Sequence, residues 1–174
     1  MEIRKALRHE ETLVNDMLKG AALRIKNKQS EQWSNILEDK ELPVIRHWLG
    51  KDSIYFGEID QQVIAVCYLY QEMTDWDREL WEQHPTDTPC LYLHKLTLAE
   101  GQTGKGLAHK FLSVLQDYVK LNFESGTLIR LDCIGEKEML NQLYQSSGFH
   151  KVGMTPQVYN GVLMADFNLF EWRP

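Results

Sequence analysis

The sequence predicts a mixed α/β fold, with about seven strands and four or five helices over residues 1–174. An apolar, β-prone run at residues 91–98 leads through a glycine-rich turn into a segment with helical spacing. Two further β-prone runs, at 53–58 and 63–70, are joined by Ile59-Asp60-Gln61-Gln62, and this arrangement indicates an antiparallel hairpin. Residues 127–133 are nearly all apolar, which suits a strand covered on both faces. The length fits one domain.

The N-terminal third is predicted to be mainly helical after a short, weakly patterned strand at residues 2–7. Apolar residues recur every three or four positions over residues 10–25, which indicates an amphipathic helix. Ser30 can cap a second helix, and Pro43 suits the first turn of a third. The later elements follow in order: a helix at 107–123, a strand at 127–133, a helix at 136–147 that stops at Gly148, and strands at 149–154 and 162–170.

Residues 71–90 interrupt the strands with an acidic excursion. It holds six acids against the single base Arg78, together with Trp76 and Trp81. One interpretation is a surface helix whose acids are solvated. The other is the wall of a binding site, where acids attract a cationic amine and tryptophans hold it by cation–π contact. Both remain open at this point.

Composition limits the classes of function. The net charge is −6, whereas binding to nucleic acid requires a basic face. The charged start and the longest apolar run of eight residues predict neither a signal peptide nor a membrane span. Cys67, Cys90 and Cys133 lack metal-ligand spacing, so no metal site is predicted and thiols in a reducing cytoplasm are expected.

The glycine-rich turn at residues 101–106 is predicted to bind a ligand that carries phosphate. It joins a strand to the N-terminus of a helix, where backbone N–H groups lack helical acceptors and the helix dipole adds positive potential. Glycines allow a phosphate to approach closely. The segment does not match the P-loop motif, because Ala99 stands at the first Gly position and Gly106 at the Ser/Thr position. A dinucleotide motif matches Gly104 and Gly106 but is broken by His109.

Two segments carry a resemblance to a known family. In the first, Leu96-Thr97-Leu98 is followed after five residues by Gly104-Lys105-Gly106-Leu107-Ala108. This is similar to the acetyl-CoA motif of the GNAT acetyltransferase superfamily, (Gln/Arg)-x-x-G-x-(Gly/Ala), with Thr103 in the Gln/Arg position. In the second, residues 140–149 (LNQLYQSSGF) resemble the family's L-Y-x-x-x-G-F segment. Lys137 stands where many members carry Asn.

The resemblance implies a single N-acetyltransferase domain whose mixed, mostly antiparallel sheet splays between its fourth and fifth strands to admit acetyl-CoA. The backbone of Leu96 and Leu98 is expected to bind the pantetheine arm. The pyrophosphate is expected on the amides of the glycine loop, formed by Thr103, Gly104, Lys105, Gly106, Leu107 and Ala108. Lys105 either adds charge to this site or is a solvated loop lysine. Family members are often dimers, so a homodimer stays open.

Tyr144 and His94 are the catalytic candidates. Tyr144 matches the family's tyrosine, and a phenol with a pKa of about 10 remains able to donate a proton to the leaving thiolate. The alternative is a core tyrosine. His94 occupies a position similar to the strand histidine of arylalkylamine acetyltransferases, and its imidazole suits a general base. The alternative is a structural histidine, with Glu58, Glu72 or water as the base.

The sequence thus predicts a cytoplasmic GNAT-type N-acetyltransferase that uses acetyl-CoA and a small, cationic amine. Two other classes stay open: a catalytically silent acyl-CoA sensor, which the departures at Thr103 and Lys137 allow, and an enzyme that binds ATP on the glycine loop.

Overall fold

A computed structural model describes residues 1–174 as a seven-stranded sheet flanked by six α-helices and one 3₁₀ turn. The strand order is β1-β2-β3-β4-β5-β7-β6. The strands are β1 (Glu2–Lys5), β2 (Ile54–Ile59), β3 (Gln62–Tyr70), β4 (Cys90–Leu98), β5 (Leu128–Ile134), β6 (His150–Tyr159) and β7 (Met164–Trp172). The helices are α1 (Glu11–Lys26), α2 (Ser34–Leu37), α3 (Leu42–Gly50), α4 (Asp75–Trp81), α5 (Leu107–Asn122) and α6 (Glu138–Ser146).

The sheet opens between β4 and β5. These strands form its one parallel pair, and their pairing covers only Cys90 to Tyr92 against Leu128 to Arg130. All other neighbours are antiparallel. Because a parallel pair needs a long crossover, α5 connects the two strands across one face of the sheet. The predicted mixed sheet and its splay between the fourth and fifth strands are therefore confirmed.

Two hydrophobic cores lie on opposite faces of the sheet. Helices α1, α3 and α4 cover one face, where Tyr92 and Ile134 point. Helices α5 and α6 cover the other, where Leu91, Leu93 and Leu131 point. Burial on both faces explains the nearly continuous apolar runs of β3, β4 and β5. None of the helices combines the length and the apolar character that crossing a membrane requires.

A β-bulge interrupts β4 just before the glycine loop. Val66 pairs with Thr97 and Tyr68 pairs with His94, so the single residue Cys67 faces both Lys95 and Leu96. Lys95 adopts a left-handed conformation with φ of 54°, the conformation that glycine takes at the first position of G1 bulges. The extra residue resets the alternation of side chains along the strand.

Two local predictions were wrong. Ser30 does not cap α2, which begins at Ser34 after Trp33 with φ of 68°; the Ser30 hydroxyl instead accepts a hydrogen bond from the amide of Gln32. Strand β6 extends to Tyr159 rather than ending at 154, because a register shift between Thr155 and Val158 accommodates Pro156. The structure has six α-helices where four or five were predicted, because part of the acidic stretch at residues 71–90 forms α4.

Gly57 on β2 is a tight packing position against α5. A Cβ atom there would lie 2.6 Å from Cδ2 of Phe111, a fully buried ring. We expect Gly57→Ala to reduce the free energy of unfolding by about 1–3 kcal/mol through overpacking, measured as a lower urea midpoint. Gly50→Ala is the control, because no atom outside its own helix backbone and its chain neighbours lies within 4 Å of its Cβ position. Equal midpoints for the two variants would contradict the prediction.

Candidate active site

The splay opens a cleft of about 1110 Å³ beside the ends of β4 and β5. Most of the site residues predicted from the sequence line this cleft: His94, Leu96, Leu98, Thr103, Ala108 and Tyr144. Gly104, Lys105, Gly106 and Leu107 complete the loop between two of those lining residues. One cleft thus brings together the glycine loop, the free edge of β4 and both catalytic candidates.

The glycine loop presents unused backbone donors. The amides from Thr103 to His109 donate to no acceptor in the chain, and the first helical bond runs from Lys110 N to Gly106 O at 3.1 Å. Gly106 precedes α5 with φ of 71°. Gly104 and Gly106 have no atom within 4 Å of a Cβ position, so a ligand can approach their backbone. A row of free amides at the N-terminus of a 16-residue helix favours an anion. The Lys105 ammonium is exposed and donates to Gln102 Oε1 at 3.2 Å.

The free edge of β4 begins after Tyr92. From Leu93 onward this strand pairs only with β3, which leaves its other edge without a strand partner. One acceptor on this strand is partly used, because Arg24 on α1 donates to the Leu98 carbonyl at 2.8 Å. The same Nη2 atom contacts Thr97 Oγ1 at 3.2 Å. Arg24 therefore ties α1 to the end of β4 at the cleft.

His94 is held by a buried carboxylate. Its Nε2 lies 2.9 Å from Oδ1 of Asp77, a side chain that is 1 % exposed. The ring also stacks on Tyr70 at 4.9 Å between centroids. Burial lowers the pKa of His94, but the hydrogen bond and the charge of Asp77 outweigh it, so the pKa lies above its ordinary value. For Asp77, burial raises the pKa, yet the bond to His94 prevails and the carboxylate stays ionised.

Helix α4 bridges β4 and β5 through side-chain hydrogen bonds. Asp77 binds His94 of β4, while the Trp76 indole N–H donates to Oδ1 of Asp132 on β5 at 3.2 Å. Thr74 is the N-cap of this helix, and its backbone N–H and hydroxyl both donate to Asp77 Oδ2. Burial raises the pKa of Asp132. This short helix is therefore hydrogen-bonded to the strands on both sides of the opening, to β4 through Asp77 and to β5 through Trp76.

A second charged group lies at the bulge. The Lys95 ammonium is 3.7 Å from Oε2 of Glu41 and 4.9 Å from the ring centroid of Trp33. Glu41 also accepts a hydrogen bond from the Tyr68 hydroxyl at 3.2 Å. Burial lowers the pKa of Lys95 despite the neighbouring carboxylate. The cleft wall thus carries Glu41 and Asp132 beside the aromatic rings of Trp33 and Trp76.

Tyr144 reaches the cleft from α6. Its side chain is 9 % exposed, and its hydroxyl forms no hydrogen bond with another side chain or with the backbone. Burial raises its pKa, which keeps the phenol protonated. Asn141, one turn earlier, orients the helix. Its amide donates to the carbonyls of Gly135 and Lys137, and its oxygen accepts from Asn168 on β7.

Several site residues were not predicted from the sequence: Glu41, Asp77, Lys95, Asp132 and Asn141. One signal was available, because Thr74-x-x-Asp77 has the spacing of a capping box. The acidic stretch divides between its two interpretations: Asp77 is buried, whereas Asp75, Glu79 and Glu82 are exposed. The two substitute bases lie elsewhere. Glu58 pairs with Arg4, and Glu72 with Lys51.

Comparisons with known proteins agree with this geometry. The model of the acetyltransferase (GNAT) family matches residues 22–149. An uncharacterized N-acetyltransferase of Bacillus subtilis, YesJ, is 26% identical over 136 residues, which cover 78% of this chain and 74% of that protein. A GNAT-family acetyltransferase from Listeria monocytogenes superposes with a TM-score of 0.77 at 25% identity, covering 99% of this chain and 94% of that one.

A third similar structure is the aminoglycoside acetyltransferase AAC(6')-Ib, solved with coenzyme A and kanamycin. It has a TM-score of 0.69 at 18% identity and covers 99% of this chain and 94% of that chain. At this identity the likeness concerns the fold alone. The family match spans most of the chain, from α1 through β4, the glycine loop and α6. The chain therefore belongs to the GNAT acetyltransferase family.

Proposed function

We propose that this protein is a cytoplasmic N-acetyltransferase that transfers an acetyl group from acetyl-CoA to a small cationic amine by direct attack in a ternary complex. The observation that carries the proposal is the free edge of β4 beside seven consecutive unused amides, Thr103 to His109. The free thiols of Cys67, Cys90 and Cys133 agree with a reducing compartment.

The residues at the splay fit the cosubstrate. Leu96 and Leu98 offer backbone groups to the pantetheine arm, and the loop amides from Thr103 to Ala108 offer donors to the diphosphate. Open space above Gly104 and Gly106 admits phosphate oxygens. Bound acetyl-CoA supplies the acetyl group as an activated thioester. Because these contacts come from the backbone, Thr103 in place of a longer side chain leaves them unchanged.

The two catalytic candidates divide the proton transfers. Asp77 engages Nε2 of His94, so the neutral ring presents the lone pair of Nδ1 as the base for the acceptor's ammonium group. Tyr144 holds its phenolic proton because burial raises its pKa, and it donates that proton to the departing sulfur. His94 and Tyr144 lie on opposite faces of the sheet, whose opening allows both to line one cleft.

The cleft wall favours a cationic acceptor. Glu41, which also pairs with Lys95, and Asp132 supply carboxyl groups, and Trp33 and Trp76 supply aromatic faces for cation–π contact. Trp33 already holds the Lys95 ammonium in this way, at 4.9 Å. A second cationic group on the acceptor, away from the reacting amine, therefore has complementary partners in the cleft.

The test compares amines of equal length with acetyl-CoA, with thiol release as the readout. We expect kcat/KM for an α,ω-diamine to exceed that of the matching monoamine about fivefold or more, because one added cation–carboxylate contact is worth about 1 kcal/mol or more in a partly buried site. Intersecting initial-velocity patterns are expected for a ternary complex, whereas parallel lines indicate a covalent route. Calorimetric binding of CoA with no turnover across the panel would instead identify an acyl-CoA sensor.

A further inference from the structure

A second pocket lies on the other side of α4. It has a volume of about 720 Å³, and none of its lining residues lines the transfer cleft. Its floor is the closed end of the β4–β5 pair, where Tyr92 and Arg130 are direct neighbours. Helix α4 thus separates two concave sites, with Trp76 facing one and Trp81 lining the other.

Arg130 places a partly free cation in this pocket. Its side chain is 3% exposed, and Nε and Nη2 both donate to Oε1 of Glu171, at 2.9 and 2.7 Å. The other oxygen of Glu171 accepts from Arg173 at 2.7 Å. One carboxylate therefore serves two guanidinium groups, and the cluster keeps a positive charge. Arg130 Nη1 donates to no carboxylate, and the hydroxyl of Tyr92 on the pocket floor is hydrogen-bonded to this guanidinium group.

Trp81 adds a second donor beside Arg130. The guanidinium carbon lies 4.3 Å from the Trp81 ring centroid. The indole Nε1–H is buried without an acceptor, the one side-chain donor in the chain in this state. Buried donors are rarely left unpaired, because they lose their bonds to water without a replacement. A carboxylate bound at Arg130 would bring an acceptor oxygen next to this unpaired N–H group.

The rim of the pocket carries the opposite charge. Glu79 and Glu82 are exposed and form no ion pair, whereas Arg78, which also lines the pocket, is paired with Asp75 at 2.5 Å. A ligand with a negative group at one end and a positive group at the other would pair with Arg130 at the floor and with the two glutamates at the rim. We propose that the pocket binds a small zwitterion of the amino-acid class, with its carboxylate on Arg130 and Trp81 and its ammonium group at Glu79 and Glu82.

The five indole N–H signals of the ¹⁵N-labelled protein test this directly, without cofactor or turnover. Trp81→Phe identifies the Trp81 signal. Titration with L-alanine should move that signal saturably and leave those of Trp33, Trp48 and Trp76, which line the transfer cleft, in place. Alanine methyl ester, which lacks the carboxylate, should bind at least about tenfold more weakly. An unmoved Trp81 signal, or movement of the cleft signals instead, would overturn the proposal.

Variants at the rim and at the floor of the pocket test the recognition of the two ends of the ligand separately. The double variant Glu79→Gln/Glu82→Gln changes only exposed side chains and should weaken alanine binding about two- to fivefold while leaving acetate unaffected. Arg130→Gln should abolish the response to both. Should that variant fail to fold, the rim variant still decides: equal losses for alanine and acetate would contradict the proposed orientation. A failed acetylation assay leaves this binding result intact.

Discussion

Replacing Tyr144 by Phe is expected to slow acetyl transfer by about a hundredfold or more, because the leaving sulfur then departs without a positioned proton donor. The substitution removes one hydroxyl that forms no hydrogen bond with another side chain or with the backbone, so the packing of α6 should survive. The affinity for CoA, measured by calorimetry, should stay close to that of the unchanged protein. The loss therefore falls on kcat, measured in steady-state assays of thiol release.

Tyr118→Phe is the matched control for this variant. Tyr118 lies on α5, packs against Tyr55 and Phe123, and does not line the cleft. Its substitution should leave turnover within about twofold of the unchanged protein, since no proton transfer involves it. If Tyr144→Phe also turned over at the normal rate, Tyr144 would be a core residue and water would be the donor.

His94→Gln is expected to lower kcat/KM by about a hundredfold or more near neutral pH, because the glutamine amide cannot accept the acceptor's proton. Gln retains a donor for Asp77, so Oδ1 of the buried carboxylate keeps its partner while Oδ2 keeps Thr74. Unfolding midpoints with and without the substitution measure any structural loss separately. His150→Gln serves as the control, because His150 is exposed on β6 and lies outside the cleft.

The pH dependence tests the same role with a different variant. Asp77 raises the pKa of His94 above 6.5, so the ring stays protonated, and unable to act as a base, to a higher pH. The acidic limb of kcat/KM should therefore lie above pH 6.5 and rise with pH. In Asp77→Asn the carboxylate charge is gone and burial lowers the pKa of His94, so the limb should move to lower pH. An acidic limb that does not move would contradict His94 as the base.

Local patterns predicted most of the fold. The helical spacing of α1 and α5, the hairpin of β2 and β3, and the strand before the glycine loop depend on periodicity and turn residues within a few positions. Ser30 failed as a cap because tertiary contacts around Trp33 set the start of α2. The second half of β6 was not predicted, because proline inside a run argues against a strand and the register shift that accommodates Pro156 is not visible in the sequence.

The candidate site was only half predictable for a related reason. Tyr144 and the loop amides lie in contiguous motifs, so their positions followed from the resemblance. Asp77 meets His94 across 17 positions, and Trp76 meets Asp132 across 56. In the sequence Asp77 is one acid among six, and nothing local distinguishes the buried one from its exposed neighbours apart from the spacing to Thr74. Its importance arises only when α4 lies across the parting strands.

The bulge at Lys95 gives β4 one residue more than β3 needs opposite it. Val66 and Tyr68 are two positions apart and share a face, whereas their partners Thr97 and His94 are three positions apart. Because side chains alternate along a regular strand, deleting Lys95 would restore the alternation and leave His94 and Thr97 in their pairs. What the deletion would remove is the ammonium group beside Glu41 and Trp33. The extra residue therefore adds a charged group to the cleft wall without turning His94 away from Asp77.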